Sequence, residues 1–365
     1  MLFSDLRVGW RTPALRLVVN GQALAGVIEA EIIANNHFAT DRFSATVALG
    51  ADPAATTTFW ASAQTIPLDV QLSVDAINFT SMIQGLVDTV MLNPATGTLR
   101  LEGRDLAAAF IETRTQEAFA NRTSSEIATL LAQRHGLAAA VTPTSTPVGR
   151  YYESEHDRIT LDQFSRATTE WDLLVFLARH EGFDVFVQGT TLYFQPTIQQ
   201  SQILVLQPTD VIDLRLRRSL TLARDIEVTV KSWNSRQSSA FTQTARASVS
   251  RGAGSASGPP QRYVYVQPNL TADQALSFAQ HKLAELTAHE RVMEATMPGE
   301  LALTPRSQIV LSGTGTDFDQ LYYIDVIERS LRVEGGFTQR IRAKNSSPRT
   351  ETTTPADIVA SVTGS

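Results

Sequence analysis

The hydrophobic period of this 365-residue chain changes twice, from two to about 3.6 near residue 110 and back to two near residue 203. One sheet or one helix bundle cannot satisfy both patterns, because period two alternates side chains across a strand while spacing of three and four lines one helix face. The chain is therefore expected to be α+β and mainly β. Its β blocks span residues 1–110 and 203–345, around a small α/β insertion at 111–202, with an extended tail at 346–365. Length alone favours two or three folding units.

In the first block, Leu15–Val19 lead into Asn20-Gly21, a dipeptide suited to the positive φ angles of a tight hairpin turn, and Val27–Ile33 follow as the expected partner strand. Further strands are expected at Arg42–Leu49, Ile66–Val74, Asn78–Val90 and, after the turn Asn93–Gly97, Thr98–Glu102. Short strands at regular spacing predict a barrel or sandwich.

Within the insertion, Thr123-Ser124-Ser125-Glu126 has the spacing of a capping box and opens a helix that stops at Gly136, and Thr160–Gln163 has the same spacing. A stronger helix starts near Thr169, presents Trp171, Leu174, Val175, Leu177 and Ala178 on one side, and ends at Gly182. Phe183–Val187 and Thr191–Phe194 then read as a hairpin around Gln188-Gly189-Thr190. The third block predicts strands at Asp225–Trp233, Gln261–Val266, Ser307–Ser312 and Tyr322–Arg329. One helix, from Thr271 to about Glu294, buries Ala275, Leu276, Ala279, Leu283 and Leu286. Residues 238–260 are Ser-, Gly- and Ala-rich and predict a flexible loop. A degenerate repeat links the β blocks: Val87-Asp88-Thr89-Val90, a turn and Thr98–Gly103 resemble Ile324-Asp325-Val326-Ile327, a turn and Leu331–Gly335.

The absence of cysteine excludes disulfides, zinc ribbons, iron–sulfur clusters and thiol nucleophiles. A net charge of −6 argues against general affinity for nucleic acid, which needs Lys and Arg to neutralise phosphates. Neither a signal peptide nor a run of about 18 apolar residues is found, so the chain is expected to be soluble and made in the cytoplasm.

Four groups invite a chemical reading. Glu153-Ser154-Glu155-His156-Asp157 is the densest cluster of carboxylates and imidazole, but its spacing matches no metal-site pattern, and a solvated loop is the default. His180-Glu181 and His289-Glu290 lack the second His of a zinc-protease helix and read as surface pairs near helix ends. Gly252–Gly258 lacks the Gly-Lys-Ser/Thr of a phosphate loop and reads as a linker. Trp171 and Tyr193 could stack on sugar, yet both sit in apolar stripes that favour a core. No catalytic, cofactor-binding or metal-binding residue is assigned, and the chain is expected not to be an enzyme.

The string Thr169-Glu170-Trp171 through Val187, continuing to Thr191–Phe194, resembles the phage late control D, or tail-hub, family of contractile tails and related injection machines. The Pro13–Gly26 opening, the Ser125–Leu137 helix and the closing Tyr323–Glu328 strand followed by Gly335-Gly336-Phe337 occur in family order across nearly the whole chain. The resemblance implies two tube-like antiparallel β-barrel domains flanking the α/β insertion. It also implies a homotrimeric baseplate ring that adapts a sixfold tail tube to a threefold spike. The implied partners are the chain itself, the spike and tube proteins, baseplate wedge and tape-measure proteins, and DNA only in passage. The implied location is the virion, without membrane anchoring. A peptidoglycan-degrading tail enzyme, which needs two facing carboxylates, and a carbohydrate- or receptor-binding β protein are the alternatives.

Overall fold

The computed structural model describes residues 11–36, 38–52, 56–115, 117, 119, 122–145, 148, 169–196, 203–220, 222, 226–232, 241–247, 261–267, 270 and 272–345. The first strands are β1 (Ala14–Val19), β2 (Gln22–Leu24), β3 (Val27–Asn35) and β4 (Arg42–Ala48). After helix α1 (Thr57–Ser62) come β5 (Pro67–Ser73), β6 (Thr80–Asn93) and β7 (Thr98–Asp105). Asn20 and Gly21 take φ angles of 50° and 80°, so the turn forms as the dipeptide predicts. Its partner is the short β2, not the Val27–Ile33 segment. Gly26, at φ 76°, turns the chain away, and a Cβ there would stand 2.3 Å from the Ala51 Cβ. β3 thereby leaves the hairpin and pairs with β4.

The insertion opens with α2 (Ala108–Glu112) and continues with α3 (Ser124–Arg134), β8 (Ala138–Val141), α4 (Glu170–Glu181), β9 (Phe183–Gln188) and β10 (Thr191–Pro196). Both long helices start on reciprocal caps: Thr123 with Glu126, and Thr169 with Asp172. Gly182 closes α4 at φ 71°. Ile127 and Leu131 of α3 and Leu174 and Leu177 of α4 are fully buried against Leu192 and Phe194 of β10. Each such side chain contributes roughly 1.5–3 kcal/mol relative to exposure, which is why the helical stripe outweighs local preference here. β8 pairs parallel with β10, a strand that Ala138–Val141 are too short and too alanine-rich to announce. The helix turn expected at Thr160–Gln163 lies outside the described residues.

The remaining chain forms β11 (Ile203–Leu206), a 3₁₀ turn, β12 (Asp213–Arg218), β13 (Ile226–Ser232), β14 (Phe241–Ala247), β15 (Gln261–Val266) and α5 (Ala272–Thr287). β16 (Arg291–Pro298), β17 (Gln308–Leu311), β18 (Leu321–Arg332) and β19 (Gly336–Asn345) complete it. Two expectations need correction. Phe241–Ala247, inside the stretch read as a flexible loop at 238–260, pairs with β13 as a strand; its alternating Thr, Gln and Arg hid the pattern. The helix expected to reach Glu294 ends at Thr287, whose hydroxyl donates to Leu283 O, and Arg291–Pro298 is a strand. Ala275, Ala279 and Leu283 of α5 bury against Ile226, Val228 and Val230 of β13, a layer with its own core.

Among the described residues no closed barrel is found. One 13-stranded sheet runs through both β blocks in the order β12-β16-β19-β18-β3-β4-β7-β6-β5-β1-β2, with β11 and β17 branching from β18, and no described ring of ladders closes on itself. The reason lies in β18. Its Leu321–Tyr323 end pairs with β17, while Val326–Arg332 pair with β3, so the strand belongs to both blocks.

The weak repeat has a structural counterpart, although not the hairpin read from sequence: β18 continues through Leu331 without a turn, and its hairpin partner is β19. The β6–β7 hairpin bulges at Asp88 and the β18–β19 hairpin at Asp325. Two residues before each bulge, a basic residue stands opposite: Arg104 across from Leu86, and Lys344 across from Tyr323. Outward from the hairpins the strands correspond in order, β3-β4-β7-β6-β5-β1 with β12-β16-β19-β18-β17-β11. Ala45 faces Leu101 where Ala295 faces Ile341. The correspondence departs at its end, since β1 pairs antiparallel with β5 and β11 pairs parallel with β17.

Candidate assembly surface

The residues singled out for chemistry do not come together. Glu153–Asp157 and Gly252–Gly258 lie outside the described residues. His180 is exposed at the end of α4, and the neighbouring Glu181 accepts the Ser124 hydroxyl at 2.5 Å. Glu290 is not a surface residue: it is 2% exposed and receives Arg218 Nε at 3.1 Å. A buried carboxylate needs such a partner, and the turn between α5 and β16 carries it inward. Trp171 is buried and donates Nε1–H to Phe38 O at 2.6 Å, while Tyr193 stacks on Phe186 at 4.8 Å. Both serve packing.

Two charged clusters had no signature in the sequence. Glu170, fully buried, receives Arg134 Nη1 and lies against His135 Nε2, each at 2.5 Å. Where the first block, the insertion and the third block meet, Asp41 lies near Arg306 and Arg329, with Asp105 beside it. Burial pushes the Asp41 carboxyl up to about 6 and, with Asp41 beside it, the Asp105 carboxyl up to about 8. Arg329 donates to Leu303 O, and burial lowers its guanidinium to about 10. Arg306 lies 3.4 Å over the Phe186 ring and ties the third block to the insertion. Glu170, Asp105 and Arg329 are buried, whereas Arg134 is 39% exposed. A surface groove of about 300 Å³ along α3 contains one carboxylate, Glu126, already engaged with the Thr123 N–H. Among the described residues, no group of three or more His, Asp or Glu is arranged to hold a metal ion, and no helix is long and apolar enough to cross a membrane.

What the fold presents outward is a sheet face. Along the eight strands from β12 to β6, alternate residues such as Ala30, Ile32, Phe43, Leu101, Met293 and Ile341 point into the cores. The opposite face is charged, and its charges pair across and along the strands. Arg340 meets Glu294 at 2.9 Å, Arg332 meets Glu29 at 3.3 Å, and Arg100 meets Glu102 at 2.8 Å. Arg104 meets Asp88 at 2.6 Å and Lys344 meets Asp325 at 2.8 Å. The exposed pairs among these add little stability, although Asp325 is itself buried; together they leave a broad face carrying both signs.

Comparison with known proteins matches this fold to tail components. The tail protein from Neisseria meningitidis MC58 is 15% identical with a TM-score of 0.65, over 94% of this chain and 99% of that one. The 43 kDa tail protein of prophage MuSo2 from Shewanella oneidensis is 17% identical with a TM-score of 0.67, over 91% and 98%. The E. coli c3393 protein is described as a component of the type VI secretion system with structural similarity to T4 bacteriophage tail proteins gp27 and gp5. It is 14% identical with a TM-score of 0.51, over 91% and 78%. No curated protein matches the sequence. The family model of the Alg8 N-terminal domain matches residues 78–332, most of the chain, and the chain therefore belongs to the Alg8 N-terminal domain family.

Proposed function

We propose that the chain is a structural hub of a phage-type tail, in which three copies form a ring that joins a sixfold tube to a threefold spike. The observation that carries this reading is the doubled β unit: two hairpins that each bulge at an Asp and face a cation, Arg104 or Lys344, embedded in corresponding strand orders. Two similar units per chain give six positions from three chains, which is what a ring between sixfold and threefold neighbours requires. In this reading the three domains are the first β unit, the α/β insertion and the second β unit with its α5 layer. The chain has no catalytic role. The charged sheet face lines the channel, where Arg100, Arg104, Arg332, Arg340 and Lys344 are already paired with carboxylates. A passing phosphate backbone would therefore release few counterions and bind weakly.

Light scattering on the purified chain with its spike partner is expected to report three copies. A chain that remains monomeric in that mixture would refute the ring, and purified cell walls cleared by the chain would refute the non-enzymatic reading.

A further inference from the structure

The two β units carry corresponding turns, and each turn is built around a single aspartate. In the first unit the chain passes from β5 to β6 through residues 74–79. Both Asp75 oxygens are used inside that turn: Oδ1 accepts the Ser73 hydroxyl at 2.8 Å and the Ile77 and Asn78 N–H groups at 2.9 and 2.8 Å, and Oδ2 accepts Asn78 Nδ2 at 2.7 Å. These bonds, that of the Asn78 N–H foremost, hold the Asp75 carboxyl well below the usual carboxylate range. They also keep Ala76 at φ 60°, which a residue with a Cβ enters only at a cost. In the second unit, residues 312–320 lead from β17 to β18, and Asp319 locks them in the same manner. Its oxygens accept the Thr314 N–H at 3.0 Å, the Thr314 hydroxyl at 2.7 Å and the Gly315 N–H at 2.9 Å.

The two turns share a scaffold and differ at the tip. Ile77 is 79% exposed, the most exposed large apolar side chain among the described residues. The tip of the second turn is polar: Gly315, Thr316 and Asp317 are exposed, and Arg291 donates to the Asp317 carbonyl at 2.7 Å and to its carboxylate at 3.4 Å. Holding an apolar side chain on a rigid turn lowers the entropy lost when a partner covers it.

We propose that the Ile77 turn is a contact by which the ring seats its threefold spike, each of the three copies placing one Ile77 in an apolar pocket of the spike. This rests on the ring proposed above and names the end of it that faces the spike. Corresponding units put the β5–β6 and β17–β18 turns on the same end of the ring. Six turns then alternate there, three tipped by Ile77 and three by Thr316 and Asp317. A sixfold tube offers one and the same surface to all six. A pocket shaped for Ile77 would there also meet the charged Asp317, whose desolvation opposes binding. A threefold partner repeats its pocket only at the three Ile77 tips and leaves the polar tips in water.

Ile77→Asp changes a side chain that already lies in water, so the full-length variant should fold as the parent does. Its binding to the purified spike protein and, separately, to the purified tube protein of the same particle is measured by interferometry. One buried Ile is worth roughly tenfold in affinity, and three act together in a ring, so spike binding is expected to fall at least about a hundredfold. Tube binding is expected to match the parent. Thr316→Asp, a charge on the second turn, is expected to leave spike binding unchanged. Spike binding that survives Ile77→Asp, or that falls equally with Thr316→Asp, would overturn the assignment. Loss of tube binding with spike binding intact would give that end to the tube and overturn it as well. In each of these cases three copies by light scattering would leave the ring standing. A parent chain that neither forms three copies nor binds the spike would refute the ring and this contact together.

Discussion

Asp105→Asn should change how the stability of the fold depends on pH. Asp105 is 7% exposed, accepts Ala107 N–H at 3.2 Å, and burial beside Asp41 raises it to about 8 from an ordinary value of 3.8. Between those values the folded chain holds a proton that the unfolded chain has released. The stability this group contributes is therefore lost as pH rises through that window. One proton corresponds to a little over 1 kcal/mol per pH unit, so from pH 5 to pH 7 the parent should lose about 3 kcal/mol through this residue alone. The neutral amide of Asn removes the proton from the balance. The Asn variant, measured by urea unfolding at pH 5, 6 and 7, should gain on the parent by that amount across the range, whatever constant offset its altered hydrogen bonding introduces. Groups shifted the other way, such as Glu294 beside Arg340, are present in both proteins and cancel. Two curves separated by the same distance at every pH would mean that Asp105 ionises as an ordinary carboxylate, and the account of the buried junction would fail.

Trp171→Phe should cost about 2 kcal/mol, because it leaves the Phe38 carbonyl without its donor at the join between α4 and the β3–β4 link; the urea midpoint reports it. Gly103→Ala should cost at least about 3 kcal/mol, since its Cβ would stand 2.2 Å from Leu86 O and 2.4 Å from the Phe43 ring. Gly97→Ala, at φ 64° with nothing within 4 Å, should cost only about 1 kcal/mol, and equal losses in thermal unfolding would contradict the crowding between β6 and β7. If the charged face lines a DNA channel, Glu31, Glu102 and Glu328 changed together to Lys should slow DNA ejection from assembled particles, with partial recovery at high salt. Unchanged ejection kinetics would place that face elsewhere.

What was legible in the sequence was whatever is encoded locally. The Thr123 and Thr169 caps, the stop at Gly182 and the positive φ angles at Asn20-Gly21 rest on interactions within a few residues, and the structure contains them. The partner of the Asn20-Gly21 turn was misread because Gly26 redirects the chain five residues later. The strand at Phe241–Ala247 escaped because its partner β13 supplies the ladder that its own side chains do not announce. Least legible were the long-range pairs. Nothing near Asp41 in the sequence mentions Arg306 or Arg329, and nothing near Glu290 mentions Arg218. The single continuous sheet depends on β18 serving two neighbours, a property of the register between strands almost 300 residues apart, beyond any local pattern.

The two bulged aspartates also bear on how the two similar halves of such a chain can change. Asp325 is 2% exposed beside Lys344, whereas Asp88 is 36% exposed beside Arg104. Substitutions that the monomer tolerates at Asp88 would, at Asp325, open a buried position and leave the half-buried Lys344 without this carboxylate, so the second hairpin should be the slower-changing half of the pair. If the chain works in the ring proposed above, selection on the first would act chiefly through the assembled particle, and a library scored only for soluble expression would call that half dispensable.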